Sequence, residues 1–191
     1  IVAASTDIGL TKSTNQDSYN VRVFHSSQGK IALVVLCDGM GGLSKGEVAS
    51  ASLVHAFCKW ADNRLPILCE SEIRDADIRS DWCGIATEYN EKIKAYGASC
   101  GISIGTTVTA MLITERRYYI MNVGDTRAYE IADAVTVLTK DQTLVAREVE
   151  LGHMTAEEAE HDSRRSVLLQ CIGASDEVYP DMFFGDTKLN A

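Results

Sequence analysis

Apolar and polar positions change period along the chain, and the changes mark out its elements. Tyr19, Val21 and Val23 alternate with polar residues up to Phe24, the period-two pattern of a half-buried strand. The polar run His25-Ser26-Ser27-Gln28-Gly29 reads as a turn. Ile31 to Cys37 is an unbroken, β-rich apolar run, which predicts a buried strand. The Gly-rich stretch from Gly39 to Gly46 reads as a loop. The period then becomes helical. Glu47 to Arg64 carries Val48, Leu53, Val54, Phe57, Trp60 and Ala61 at helical spacing. Ile78, Trp82, Ile85, Tyr89, Ile93 and Tyr96 form one apolar face of a longer helix, which Gly97 and Gly101 are placed to end. Strands return at Thr107–Thr114, Arg117–Val123, Arg127–Ile131 and Val135–Leu138. Beyond Asp141 the pattern is helical and charged, through Glu148, Glu150, Glu157, Glu158, Glu160 and His161. A last apolar stretch holds Val167, Leu168, Leu169 and Ile172. Strands, two long helices and strands again predict an α+β fold with antiparallel sheets and helices outside them.

Hairpin register turns this pattern into chemistry. A first hairpin centred between Ser27 and Gln28 sets Asp17 opposite Asp38. A second, centred between Glu115 and Arg116, sets Asp125 opposite Thr106. A third, centred on Asp133, sets Asp125 opposite Asp141. Three hairpins thus deliver carboxylates to strand ends near one another. Apposed carboxylates repel, and buried together they share a proton or bind a cation. Oxygen-only donors suit hard divalent ions such as Mg2+ or Mn2+ rather than zinc. Glycines 39, 41 and 42 let the backbone approach a ligand closely, and the Gly39 carbonyl is a further oxygen donor. Such a site favours metal-assisted hydrolysis of a phosphate ester. Lys12 lies where it can offer positive charge to the phosphate. Taken singly, Asp17 and Asp125 read as turn formers and Lys12 as a solvated lysine. The acidic stretch from Glu148 to Glu160 reads as a solvated helical face. None of His55, His153 and His161 reads as a ligand. It is the conjunction of the acids that singles out the site.

Composition narrows the partners and the compartment. The 191 residues carry 18 Lys and Arg against 27 Asp and Glu, a formal charge of −9. So acidic a chain lacks the basic face that nucleic acids and anionic membranes require, and neither is an expected partner. The six cysteines form no C-x-x-C pair, and a chain of this size needs no disulfide staples. Reduced thiols, and with them a cytoplasmic location, are therefore expected. The start, Ile1-Val2-Ala3-Ala4-Ser5, has no basic region and reads as a domain boundary rather than a signal peptide.

Five ordered motifs make the sequence recognisable. They are Gly9-Leu10-Thr11-Lys12-Ser13-Thr14-Asn15-Gln16-Asp17-Ser18; Val35-Leu36-Cys37-Asp38-Gly39-Met40-Gly41-Gly42 with Gly46-Glu47-Val48-Ala49-Ser50; Gly105-Thr106-Thr107; Asn122-Val123-Gly124-Asp125-Thr126-Arg127-Ala128-Tyr129; and Leu138-Thr139-Lys140-Asp141-Gln142-Thr143-Leu144. Together they resemble the metal-dependent Ser/Thr protein phosphatases of the PPM (type 2C) family, in their bacterial style. The resemblance implies an antiparallel β-sandwich flanked by helices on both outer faces, a four-layer α-β-β-α arrangement, as one domain over 1–191 with a flap at about 146–165. It implies hydrolysis of phosphoserine and phosphothreonine by a metal-activated water at a binuclear Mn2+ or Mg2+ centre. By position, Asp17, Asp38 and the Gly39 carbonyl are its metal ligands, Asp38 bridging both ions, and Asp125 belongs to a third-ion site. Asp17 and Asp38 are then catalytic, with Lys12 as the phosphate contact. A phosphorylated protein is the implied substrate and a Ser/Thr kinase the opposing enzyme.

Two departures from the family pattern bear on activity. Lys12 stands where the family has Arg, which retains the charge but loses the bidentate grip on phosphate. No Ser-Asp-Gly motif occurs, and the chain reaches Gly185–Ala191 about where the strand bearing it begins. The expectation is a domain lacking its last strand or strands and part of its metal shell, with impaired turnover. The other reading is a pseudophosphatase or regulatory binding module that keeps the fold without turnover. An open sheet edge would also favour a dimer or a strand swap.

Overall fold

The computed structural model describes residues 1–10, 12–27, 29–41 and 45–187. Strands β1 (Asp17–Ser26) and β2 (Gly29–Gly41) form the first hairpin in the predicted register, with Asp17 facing Asp38 and Phe24 facing Ile31. Beyond it, β2 pairs with β3 (Ile104–Thr106) near its end and with β4 (Val108–Ile113) along its middle. Next comes β5 (Arg117–Val123), in the predicted second hairpin, and with β8 (Asp181–Asp186) at the far edge the main sheet runs β1-β2-β4-β5-β8. Strands β6 (Tyr129–Ile131) and β7 (Val135–Val137) form a separate two-stranded ribbon, also in its predicted register.

Two helices close one face of the sheet. Helix α1 (Gly46–Asn63) lies against β1, β2 and β3, and α3 (Asp75–Cys100) packs on α1, β3 and β5. The one-turn helix α2 (Leu65–Leu68) joins them. Leu33, Val35 and Cys37 alternate along β2 into this interface, where they meet Leu53, Phe57 and Trp82 in one buried cluster. Trp82 takes Phe57 and Trp60 edge-on, with centroids 5.5 Å apart in both pairs. The Trp60 indole N–H and the Arg64 Nε–H both donate to Asp81, whereas the buried Trp82 indole N–H has no hydrogen-bond partner among the described residues. Downstream, α4 (Leu144–Glu150) and α5 (Ala156–His161) pack on each other. Thr155 caps α5 in a reciprocal capping box with Glu158.

The α+β class with antiparallel sheets is therefore as read. Among the described residues the α1/α3 pair covers the main sheet, and the β6–β7 ribbon is a separate, largely exposed two-stranded sheet. Two local expectations need correction, and two segments left unassigned by the pattern are defined by the structure. The stretch from Gly39 is not a loop at its start: β2 continues to Gly41 because β3 supplies a partner there, and the predicted loop residues Gly42–Ser44 lie outside the described residues. Asp125 faces neither Thr106 nor Asp141 in a ladder, because Gly124 takes φ +106° and swings the chain out of β5 after Val123. Residues 167–172 form no regular element; Leu168 and Ile172 only bridge Thr143 and Thr106. Finally, Asp181–Asp186 is a strand, β8, paired to β5. Its acids at both ends and its glycine hide it from pattern reading, and pairing plus the edge-on packing of Phe184 on Tyr119 at 5.9 Å holds it.

Candidate metal centre

The site is built where β1 begins and β2 approaches its end. Asp17 and Asp38 are direct cross-strand partners, so their side chains leave the same face of the sheet, the face away from α1. Asp38 is fixed from its other side by the β3–β4 junction. Its N–H donates to Thr107 Oγ1 at 3.0 Å. Its carbonyl accepts from the Thr107 N–H at 2.9 Å and from Thr106 Oγ1 at 3.1 Å. Gly39 is pressed between two other backbones: its N–H donates to the Gln16 carbonyl at 3.1 Å, and a Cβ on Gly39 would collide with both that carbonyl and the Gly46 carbonyl. The Gln16 carbonyl also accepts from Ser50 Oγ at 2.7 Å, which ties the start of β1 to α1. Thr106 gives its backbone N–H and C=O to Ile172, each at 2.9 Å, so neither is used on Gly39 opposite it.

Electrostatics follow the geometry. Asp38 is pushed up to about 6, first by burial and then by the charge and hydrogen bond of Asp17. The Lys12 ammonium is near enough to oppose that shift, and the charge of Asp125 adds to it least of all. Asp125 is itself raised, by burial first and by Asp141 in addition, with Arg127 opposing. Arg127 clamps Asp141 with two hydrogen bonds of 2.8 and 2.6 Å, an arrangement that keeps the guanidinium firmly charged. Asp125 thus belongs to a neighbouring cleft of about 660 Å3, which α4 and α5 wall through Val145, Val149 and Ala156.

The predicted residues therefore fall into two sets. Asp17, Asp38 and Gly39 are brought together, Lys12 stands within electrostatic reach, and Asp125 sits at the margin with Asp141. Among the described residues no group of three or more His, Cys, Asp or Glu side chains is placed to hold a metal ion. The donors at hand are two carboxylates and a carbonyl. Their oxygen-only chemistry, and the raised Asp38 that a cation would relieve, fit a hard divalent ion.

Several positioning residues carry no obvious chemical signal in the sequence. Thr106 and Thr107 read as ordinary strand residues, yet they hold Asp38. Gln142 accepts the Gly124 N–H at 3.0 Å and donates to the Gly124 carbonyl through its own backbone at 2.9 Å, fixing the turn before Asp125. Asn122 Nδ2 donates to the Lys140 carbonyl at 3.1 Å and Oδ1 accepts from Thr109 at 2.6 Å, buried within the same junction. Their presence inside the five motifs was the available signal.

The fold and site define an antiparallel α+β domain with an apposed acidic pair and a glycine carbonyl at one end of its sheet. A family model described as Protein phosphatase 2C matches residues 10–172, and the chain belongs to that family. It is 35% identical over 184 residues to a putative protein phosphatase 2C-type of Streptococcus pyogenes serotype M6, covering 95% of this chain and 71% of that protein. It is 32% identical over 187 residues to the serine/threonine protein phosphatase PstP of Mycobacterium tuberculosis, covering 97% of this chain but only 33% of that protein. Its structure is similar to that of the serine/threonine phosphatase Stp1 from Staphylococcus aureus, with a TM-score of 0.82 and 28% identity, over 96% of this chain and 70% of that one. The catalytic domain of a PstP in complex with two manganese ions matches with a TM-score of 0.72 and 28% identity, over 97% of this chain and 72% of that one.

Proposed function

We propose that this chain hydrolyses phosphoserine and phosphothreonine in proteins with the help of Mn2+ or Mg2+. The apposition of Asp17 and Asp38 beside Gly39, in a chain of this family, is the observation that carries the reading. Asp17, Asp38 and the Gly39 carbonyl are the residues that would hold the ions, and Asp125 would serve a third. Such ions supply Lewis acidity toward a phosphoryl group. The chain's own part is positional. Thr106 and Thr107 hold the Asp38 backbone so that its carboxylate stays against that of Asp17. Lys12 offers the phosphate a positive charge in a molecule of net charge −9.

The partners follow from the reaction: a phosphorylated protein as substrate and a Ser/Thr kinase that opposes it. The named relatives are serine/threonine phosphatases, which supports this. A cytoplasmic location is supported by the six cysteines, none of which is in a disulfide. No helix among the described residues is long and apolar enough to cross a membrane. An exposed β1 edge and an exposed β8 edge, both unpaired among the described residues, support a dimer or strand swap. The reading without turnover rests on Lys12, which keeps the charge but lacks the planar fork of a guanidinium.

One pair of measurements tests the proposal. Calorimetric titration with Mn2+ and a p-nitrophenyl phosphate assay are run on the chain and on Asp38→Asn. Binding and turnover that both disappear in the variant support the enzyme. Retained activity in Asp38→Asn sinks the site assignment, and metal binding without turnover in the parent chain favours the non-catalytic reading.

A further inference from the structure

A cluster of polar and nucleophilic side chains stands outside the metal centre, where none of the roles above uses it. Cys100 closes α3 with its side chain exposed. Its Sγ lies 3.6 Å from the Lys45 ammonium and 3.8 Å from Ser99 Oγ. Lys45 arrives from a different element, as the residue preceding α1. It also meets the Tyr96 hydroxyl at 3.4 Å, with its ammonium 5.4 Å from the centre of the Tyr96 ring. Lys45 takes φ +82° and is the one non-glycine residue with positive φ among those described. A residue with a Cβ adopts that backbone only at a cost. Here the strained conformation accompanies delivery of the Lys45 ammonium onto a thiol.

The other five thiols are placed differently. Cys37, Cys69 and Cys171 are buried, Cys58 and Cys83 are half-buried, and burial pushes all five up. The Cys100 thiol is drawn below its ordinary value instead, by the Ser99 hydrogen bond first and then by the Lys45 charge, with Tyr96 and Lys45 hydrogen bonds in support. Ser99 and Tyr96 on α3 and Lys45 at the head of α1 are the groups that face it.

We propose that Cys100 is a thiol–disulfide exchange site, activated by Lys45, that takes up low-molecular-weight disulfides. In the exchange the Cys100 thiolate attacks one sulfur of a disulfide R–S–S–R. A bond forms between Cys100 Sγ and that sulfur, the S–S bond of the disulfide breaks, and RS⁻ leaves and takes a proton from solvent. The disulfide is the oxidant, so no other co-reactant is needed. Lys45 acts by holding the attacking sulfur as its anion. The assignment stands apart from the metal reading and does not depend on phosphatase activity.

The test is the reaction of the folded chain with an aromatic disulfide, 5,5′-dithiobis-(2-nitrobenzoic acid), and with oxidised glutathione. Progress is followed by stopped-flow absorbance for the first and by intact mass for both, with peptide mapping of the product. One thiol is expected to react ahead of the rest and to map to Cys100, and C100S should lose that phase. Lys45→Met should slow the phase by about three- to tenfold near neutral pH and move its rate–pH midpoint up toward the ordinary thiol value of about 8.5. Lys45→Arg should keep most of the rate. Cys100 and Lys45 lie at the molecular surface, and unchanged circular dichroism of the variants shows that the fold is kept. A fast phase that survives in C100S, or that maps to another cysteine, overturns the proposal. So does Lys45→Met with an unchanged rate and midpoint, which makes Cys100 an ordinary exposed thiol.

Discussion

At the scale of single residues, Asp38 concentrates the physics of the site. Its carboxyl ordinarily titrates near 3.8 and is held at about 6 in the folded chain, by burial and by Asp17. Between those values the folded state binds a proton that the unfolded state has released. Stability of the metal-free chain should therefore fall as pH rises through the window from about 4 to about 6. Chemical denaturation at a series of pH values checks the slope. Asp38→Asn should flatten it, and added Mn2+ should reverse it, because a cation replaces the proton between the two acids. A stability that rises through the window would contradict the assignment. Lys12 makes the second residue-scale prediction. Its point charge lacks the planar fork of a guanidinium. Lys12→Arg should lower KM for a phosphopeptide by severalfold while kcat moves little, and Lys12→Ala should raise KM. Steady-state kinetics separate the two constants, and an effect confined to kcat would place Lys12 elsewhere.

At the scale of elements, hairpins and the turns that end them decide which acids meet. β1 and β2 run in register up to Asp17 and Asp38, so the alternation of Tyr19, Val21 and Val23 was enough to place that pair. Asp125 was misplaced because ladder register was extended past the point where the strand stops. Gly124 leaves β5 at φ +106°, and a Cβ there would press into the Thr107 side chain at 2.6 Å. Thr107 also holds the Asp38 N–H, so this turn and the metal centre share one residue. Gly124→Ala should therefore cost about 1–3 kcal/mol in stability and should weaken Mn2+ binding as well. Thermal unfolding and calorimetry read the two effects. A fully stable variant with unchanged binding would show that the turn is not a support of the site.

At the scale of the molecule, one face of the sheet is sealed by α1 and α3 and the other is covered less fully. Val21, Val34, Met111, Ile120 and Phe183 follow one another across the five strands of that second face. Near them Leu36 is 39% exposed and Val23 52% exposed. With the β1 and β8 edges unpaired among the described residues, association through this side is the expected behaviour in solution. Sizing with in-line light scattering over a concentration series checks it, and a monomer at the highest concentration counts against it.

Much of this protein was legible in its sequence, for a physical reason. Hydrophobic periodicity is local, so the two long helices, the hairpins and their registers could be read residue by residue. The Asp17–Asp38 apposition followed from register alone. Ordered motifs along the chain carried the family likeness. What needed the tertiary structure was whatever depends on contacts between distant segments. Strand β8 exists because β5 offers it an edge. β2 extends through Gly41 because β3 pairs there. Thr106, Thr107 and Gln142 act as supports through hydrogen bonds that span roughly twenty to seventy residues of chain. The Lys45–Cys100 pair joins the head of one helix to the end of another, 55 positions apart. No period in the sequence encodes such a meeting; packing of α1 against α3 decides it.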